Sequence, residues 1–179
     1  MIRLTPSGLL AHGRRIPVSL GRGGIVAGAA KREGDGATPA GAWRITGTLY
    51  RPDRIARPAP WARPIRPGDL WSDDSEDPAY NRPVRTPHPY SHETLRRADR
   101  LYDLVLLTDW NAEGAPGQGS AIFIHRWRGP GHPTEGCIAM RPADLRWLAA
   151  RTPPGTRLHV PHLAANIPGE ARSAGGGAP

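Results

Sequence analysis

Glycine and proline interrupt this chain so often that long regular elements cannot run through most of it. The 179 residues include 22 glycines and 21 prolines. Proline removes a backbone hydrogen-bond donor, and glycine loses conformational entropy when it is fixed in a helix or strand. We therefore expect short strands joined by turns, with a few brief helices. The length suits one domain, predicted over residues 1–162, with a flexible tail over residues 163–179.

Apolar runs between these interruptions predict the main elements. Strands are expected in the hairpin-like segment 2–21 and in segments 42–50, 101–110, 120–127 and 155–161. Helices are predicted over residues 91–99, with Ser91 as a cap, and over residues 141–151, where Pro142 suits the first turn. The proline-rich segment 51–91 carries several large aromatic residues, which indicates an ordered, irregular excursion rather than a linker.

The charge of the chain favours anionic partners. The net charge is +8, and Lys31 is the only lysine. Nucleic acid, an acidic membrane surface and a carboxylate-rich polymer such as a cell wall all fit this balance. The arginines are scattered, however, and no basic helix with interleaved aromatics supports nucleic-acid binding. No signal-peptide pattern and no membrane-spanning run is found, so the sequence alone predicts a soluble, unexported chain.

The only cysteine, Cys137, follows His125 by twelve positions. A free thiol titrates near ~8.5, and a nearby imidazole can take its proton to give a thiolate–imidazolium pair at neutral pH. The carbonyl of Arg126 is a natural candidate to orient the imidazole. The amides of Glu135, Gly136 and Cys137 could form an oxyanion hole, provided that Gly136 permits the tight bend. Every part that acyl transfer requires is therefore available locally.

Two other interpretations of these residues stay open on composition and spacing alone. A lone cysteine is commonly a small buried hydrophobe, and a lone histidine a satisfied structural residue. A metal site would draw on His88, His92, His125, His132, Glu135 and Cys137. Two observations argue against a metal site. Pro89 disfavours a helix over residues 88–92, which the spacing of His88 and His92 would need, and no second cysteine or HExxH pattern is present.

Two motifs resemble the L,D-transpeptidase catalytic domain family. The segment "PTEGCIAM" (133–140), which follows His125, is similar to the family signature of a histidine, a loop and then Ser/Thr-His-Gly-Cys. The segment "GDGATPAGAWRI" (34–45) is similar to the Thr-Pro-x-Gly-x-aromatic stretch that precedes the catalytic part. The likeness is closest to a compact branch in which "GSAIF-x-H" leads to "PT-x-GC", and it extends over about residues 15–160.

The resemblance implies that Cys137 is the nucleophile and His125 its general base. Thr134 takes the Ser/Thr position, and Thr38, Pro39 and Gly41 match the upstream segment, which we interpret as structural. Two positions depart from the family pattern. Glu135 replaces the second histidine, and its carboxylate would raise the pKa of the cysteine if it pointed inward. Ala139 replaces a polar residue, which removes an expected substrate contact.

The resemblance also implies a mainly β fold, a mixed β-sandwich with a few short helices. The implied activity is L,D-transpeptidation of peptidoglycan stem peptides, a step in cell-wall biogenesis that affects cell shape. Cys137 would attack the carbonyl of the third residue of a tetrapeptide, expel the terminal D-alanine and form a thioester that an acceptor amine resolves. Neither a metal nor a diffusible cofactor is implied. Arginines near the motif could hold stem carboxylates, namely Arg126, Arg128 and Arg141.

Related activities are compatible with the same residues. Water in place of the amine would give an L,D-carboxypeptidase or another stem-peptide hydrolase. Loss of turnover would leave a cell-wall-binding module. The implied location is the cell envelope or periplasm, and it rests on the resemblance alone because the N-terminal sequence predicts no export signal.

Overall fold

The computed structural model describes residues 1–162, which contain fifteen strands, most of them short, and one α-helix. The strands are β1 (Ile2–Thr5), β2 (Gly8–Ala11), β3 (Arg14–Ile16), β4 (Val18–Ser19), β5 (Ile25–Val26), β6 (Thr38–Pro39), β7 (Gly41–Tyr50), β8 (Arg63–Pro64), β9 (Asp69–Ser72), β10 (Pro83–Arg85), β11 (His92–Thr94), β12 (Leu104–Thr108), β13 (Ile124–Arg126), β14 (Ile138–Met140) and β15 (Arg157–Val160). The helix, α1, spans Pro142–Ala149, and Gly28–Ala30 form a short 3-10 turn. The predicted mainly β class is confirmed.

Ten strands form one mixed sheet, in which the order is β3-β2-β1-β15-β7-β12-β13-β14-β4 and β8 lies beside β7. The long strand β7 pairs with both β15 and β12 and joins the two halves of the sheet. Strands β13 and β14 run parallel, with His125 opposite Ala139. A three-stranded sheet, β10-β9-β11, and the parallel pair β5-β6 complete the architecture.

The main sheet has two apolar clusters. One includes residues of α1, such as Leu145 and Leu148, together with Ile124 and Ile138 of the sheet. The other includes Trp71, Leu95, Tyr102, Val105 and Phe123, with Cys137 packed against it. Successive residues of a strand point to opposite faces of a sheet. Phe123 and His125 therefore share the side of the second cluster, whereas Arg126 projects toward the side of α1.

Most predicted elements are confirmed, although their bounds differ. Residues 2–21 form β1 to β4, the segments 42–50, 101–110 and 155–161 contain β7, β12 and β15, and the helix predicted over 141–151 is α1. The strand predicted over 120–127 is limited to Ile124–Arg126, since Ala121 has a positive φ of 49° that interrupts extended backbone. The excursion 51–91 is ordered and contains β8, β9 and β10. Its Trp71 and Tyr80 side chains are buried.

The helix predicted over residues 91–99 was wrong. Residues His92–Thr94 form β11, which pairs antiparallel with β9 of the preceding excursion. Ser91 caps no helix, and its carbonyl instead accepts a hydrogen bond from the N–H of Asp73. Strand pairing and the burial of Leu95 in the second cluster outweigh the local helical preference.

The predicted tail over 163–179 lies outside the described residues. Within residues 1–162, no helix combines the length and apolar character needed to cross a membrane.

Candidate active site

His125 is held by its own strand and by the residue that follows it. Its Nδ1 atom lies 2.7 Å from the carbonyl oxygen of Arg126. A carbonyl only accepts hydrogen bonds, so Nδ1 carries the ring proton and Nε2 is left as an acceptor. The ring of Tyr102 packs edge-on against the imidazole, with 5.4 Å between centroids. Only 7% of His125 is exposed, and this burial lowers its pKa to about 4 even though the Arg126 carbonyl opposes the shift.

Cys137 lies directly before β14, and its thiol contacts the backbone that leads into β13. The Sγ atom donates a hydrogen bond to the carbonyl of Ala121 at 3.2 Å and accepts one from the N–H of Phe123 at 3.3 Å. Burial raises the pKa of Cys137 to about 12, the Phe123 N–H opposes that shift and the charge of Glu93 adds to it. The thiol is therefore protonated at neutral pH.

The pKa shifts of both groups favour a neutral pair over the thiolate–imidazolium pair expected from the sequence. Burial disfavours the charged form of both groups, since it raises the pKa of the thiol and lowers that of the imidazole. Burial therefore favours a neutral thiol beside a neutral imidazole. A neutral imidazole can still take the thiol proton during the reaction.

The two side chains project into the same cavity, His125 from β13 and Cys137 from the position directly before the parallel strand β14. His125 is opposite Ala139, which lies two residues beyond Cys137 on the same side of its strand. With an interstrand spacing of about 4.8 Å and a rise of about 3.3 Å per residue, extended backbone at Cys137 would place the two Cα atoms roughly 8 Å apart. Within residues 1–162, the hydrogen-bond partners of Sγ are the two backbone groups named above, and His125 is not among them. Both residues line a cavity of about 400 Å³.

Thr134 shapes the turn that presents Cys137. Its hydroxyl donates to the carbonyl of Cys137 at 2.6 Å and accepts the N–H of Gly136 at 3.2 Å. The predicted oxyanion hole therefore loses one of its three amides, because the N–H of Gly136 is already engaged. The amides of Glu135 and Cys137 have no hydrogen-bond acceptor within the described part of the chain. They remain the candidates for an oxyanion hole.

Gly136 is required where the turn meets the Thr-Pro segment. Its φ is +130°, and a Cβ there would lie 2.8 Å from the carbonyl oxygen of Ala37. Thr38 of β6 approaches from the same side, and its hydroxyl donates to the carbonyl of Gly136 at 2.9 Å. That hydroxyl also accepts the N–H of Gly21 at 2.9 Å. The Thr-Pro segment thus supports the backbone beside Cys137.

The two departures from the family pattern have plain structural outcomes. The side chain of Glu135 is 75% exposed and pairs with Arg22 at 2.7 Å, so its carboxylate does not face the thiol. The carboxylate that raises the pKa of Cys137 is that of Glu93 instead. Ala139 is fully buried beside His125 and contributes no surface to the cavity.

The three arginines expected near the substrate separate in space. Arg128 lines the cavity. Arg126 contributes its carbonyl to His125, but its side chain belongs to the opposite side of the sheet. Arg141 is not at the cavity, because it binds Asp144 of α1 at 3.1 Å, together with Arg14. The prediction for Arg141 was wrong because the chain turns into α1 at this residue, which directs its side chain away from the cavity although it is close to Cys137 in sequence.

Sequence reasoning missed much of the cavity wall, and three of the missed residues, Glu93, Arg97 and Tyr102, lie beside His125 or Cys137 or act on their charge. The hydroxyl of Tyr102 lies 3.4 Å from the Glu93 carboxylate, and the guanidinium of Arg97 lies 5.2 Å from the centre of the Tyr102 ring. Arg97 is fixed by Asp99 at 2.7 Å. Two of the three lie in the segment that was assigned to a helix, and the only available signal was its mixture of charges.

The candidate metal ligands do not assemble. Among the described residues, no group of three or more histidine, cysteine, aspartate or glutamate side chains is arranged to hold a metal ion. His88 is committed to Asp77, with 2.7 Å between its Nε2 and the carboxylate. The rings of His88 and His92 are 5.8 Å apart.

Cys137 and His125 thus line one cavity beside two neighbouring strands of the mixed sheet. The family model of the L,D-transpeptidase catalytic domain, YkuD, matches residues 8–160, and the chain belongs to this family. This finding confirms the resemblance noted in the two sequence motifs. Comparison with curated proteins and with solved structures gives no match. The chain is therefore an L,D-transpeptidase-type catalytic domain of a family that acts on peptidoglycan.

Proposed function

We propose that the protein transfers acyl groups between peptidoglycan stem peptides through a thioester on Cys137. One observation carries the proposal: the Cys137 thiol and the His125 imidazole line one cavity in a chain whose residues 8–160 match the family model. The family's connection with the cell wall makes the cell envelope the proposed location of the substrate.

The first half of the reaction forms the acyl-enzyme. Sγ of Cys137 leaves the carbonyl of Ala121 and attacks the carbonyl carbon of the third stem residue, while Nε2 of His125 takes the thiol proton. The amides of Glu135 and Cys137 would donate to the oxygen that becomes negative. The C–N bond to the terminal D-alanine then breaks, and His125 gives the proton to the departing amine. A thioester and a free D-alanine result.

The second half reverses these roles. The amine of another stem's diamino acid attacks the thioester carbonyl, and His125 takes a proton from that amine. The C–S bond breaks, and the proton returns to the sulfur of Cys137. Water in place of the amine would release a tripeptide, which is the carboxypeptidase alternative. His125 has a pKa of about 4, so its Nε2 is unprotonated at physiological pH and free to accept a proton in each half.

The charges of the cavity support a stem peptide as substrate. Arg97 and Arg128 lie on its wall, and a guanidinium can hold a carboxylate through two parallel hydrogen bonds. Carboxylates of Glu33, Asp73 and Glu93 also line the cavity. A stem peptide carries both carboxylates and a side-chain amine, so its charges complement both sets.

Mass spectrometry of the intact protein tests the proposal. Incubation with a D-alanine-terminated tetrapeptide should give a covalent adduct of tripeptide mass on Cys137, with release of one equivalent of D-alanine. Added amine acceptor should then yield a cross-linked dimer, whereas a product that is only free tripeptide would favour the hydrolase. Cys137→Ala should give no adduct, and Gly129→Ala, in the same loop at a position where a Cβ meets no heavy atom within 4 Å, should react like wild type. Binding of purified cell wall without any adduct or D-alanine release would overturn the proposal and leave a wall-binding module.

A further inference from the structure

A second cavity lies on the side of the sheet away from Cys137, between α1 and the segments that precede β8 and β12. Its volume is about 540 Å³. Leu104 and Leu145 give it an apolar floor, and Pro142 at the start of α1 lies at its edge. Arg126 lines this cavity, whereas the adjacent His125 lines the candidate active site.

The acidic residues of this cavity already have partners. Asp103 pairs with Arg54 at 2.9 Å, and Arg54 also donates to the carbonyls of Ala98 and Asp99. Asp53 is held by Arg51 at 2.7 Å and by a second arginine outside the cavity wall. No carboxylate of the cavity is therefore free to neutralise further positive charge.

Three guanidinium groups remain without such a partner. Within residues 1–162, Arg100, Arg126 and Arg146 form no ion pair, and all three line this one cavity. They come from three different elements: the turn before β12, the end of β13 and the middle of α1. Like charges gathered around a concave surface attract counter-ions, and planar guanidinium groups match the oxygens of carboxylates and phosphates.

We propose that this arginine cavity is a second binding site, for an anionic group of the carboxylate or phosphate class. The start of α1 at Pro142 adds the partial positive charge of a helix N-terminus at the same place. The site lies on the other side of the sheet from the nucleophile, so it would hold an anionic polymer while the catalytic cavity works on a stem peptide. Binding at this site requires no chemistry at Cys137.

Titration of the ¹⁵N-labelled protein with inorganic phosphate, and separately with citrate, tests the site. Saturable shifts are expected at the amides of Arg100, Arg126 and Arg146. The two titrants distinguish a phosphate source from a carboxylate source, and saturation by either supports the proposal. The double variant Arg100→Gln/Arg146→Gln should weaken binding by roughly tenfold or more, in line with the loss of two charge-assisted contacts.

A matched double variant, Arg3→Gln/Arg82→Gln, removes the same charge from two exposed arginines outside the cavity. It should bind phosphate within about twofold of wild type, in keeping with the small effect of distant, screened surface charges. Cys137→Ser should bind like wild type, which separates this site from the proposed catalysis. Equal weakening in both double variants, shifts without saturation, or shifts confined to Arg97 and Arg128 would each overturn the proposal.

Discussion

The hydroxyl of Thr38 donates a hydrogen bond to the carbonyl oxygen of Gly136 at 2.9 Å, although 98 positions separate the two residues. Thr38 is fully buried and also accepts the N–H of Gly21. One side chain from the N-terminal third of the chain therefore fixes the backbone immediately before Cys137. The Thr-Pro motif and the Gly-Cys motif form one structural unit for this reason.

Replacing Thr38 by valine should weaken both the fold and the proposed acylation. The substitution keeps the shape but leaves a buried donor and a buried acceptor unpaired, which costs about 1–3 kcal/mol each. Denaturant unfolding would measure the loss of stability, and the rate of adduct formation would measure the loss of alignment. Thr38→Ser keeps the hydroxyl and should retain both. A valine variant with wild-type stability and rate would contradict the supporting role of Thr38.

Gly136→Ala should be more damaging than the same change at Gly129. At position 136 the backbone has a φ of +130°, and the new methyl group would lie 2.8 Å from the carbonyl of Ala37. At Gly129 a Cβ meets no heavy atom within 4 Å. We expect Gly136→Ala to lower the stability by more than about 2 kcal/mol, as strained substitutions do, and to abolish adduct formation. Equal stability and activity in the two variants would refute this expectation.

The alkylation rate of Cys137 should rise about tenfold per pH unit between pH 7 and 10, without a plateau. Only the thiolate reacts, and desolvation raises the pKa of the partly buried Cys137 thiol to about 12. Iodoacetamide labelling followed by mass spectrometry measures this directly, since the chain has one cysteine. The same protein in denaturant should label roughly a thousandfold faster at pH 8, because its thiol has an ordinary pKa. A plateau below pH 7 would reveal a preformed thiolate instead.

Glu93→Gln should accelerate this labelling several-fold at pH 9. The charge of Glu93 raises the pKa of Cys137, so removing it should lower the pKa and increase the thiolate fraction. Glu135→Gln is the matched control and should leave the rate unchanged, since its carboxylate is exposed and paired with Arg22. The reverse order of effects would show that Glu135 is the carboxylate that faces the thiol.

Burial of His125 should make the protein less stable as the pH falls from about 6.5 to 4. The pKa of His125 is lowered in the folded state, to about 4, so the unfolded chain binds the proton first and is favoured over this range. The stabilisation is complete above pH 6.5, and its loss corresponds to about 3 kcal/mol. Unfolding free energies of wild type and His125→Gln across this range isolate the effect, because carboxylate titrations are common to both. His132→Gln, at an exposed position, should follow the wild-type profile; a His125→Gln profile parallel to wild type would contradict the assignment.

Several features could be predicted from the sequence because they depend on neighbouring residues. The apolar runs around β12 and β15 have lengths typical of strands, and Pro142 suits the first turn of α1. The family was identified from "PTEGCIAM" and "GDGATPAGAWRI", and residues 8–160 match it. The catalytic roles of Cys137 and His125 remain predictions.

Other features were invisible because they depend on residues that are distant in sequence. The composition of residues 91–99 favours a helix, but His92–Thr94 form strand β11 because they can pair with the edge of β9. Glu93, Arg97 and Tyr102 carry no motif and become relevant only when β11 and the segment that follows it form part of the cavity that His125 lines. The opposite error was made for Arg141, which was predicted near the substrate because it is close to Cys137 in sequence. In the fold its side chain pairs with Asp144 instead.

The sequence by itself determined the family and the mainly β class and singled out two candidate side chains for the chemistry, because motifs and apolar periodicity are local properties of the chain. Only the tertiary structure decided their protonation. The pKa of Cys137 and the pKa of His125 are set by burial and by the charges that other elements place nearby, and neither quantity can be read from residues 125–137. Desolvation by the assembled sheet is the physical reason that a neutral pair is favoured over an ion pair.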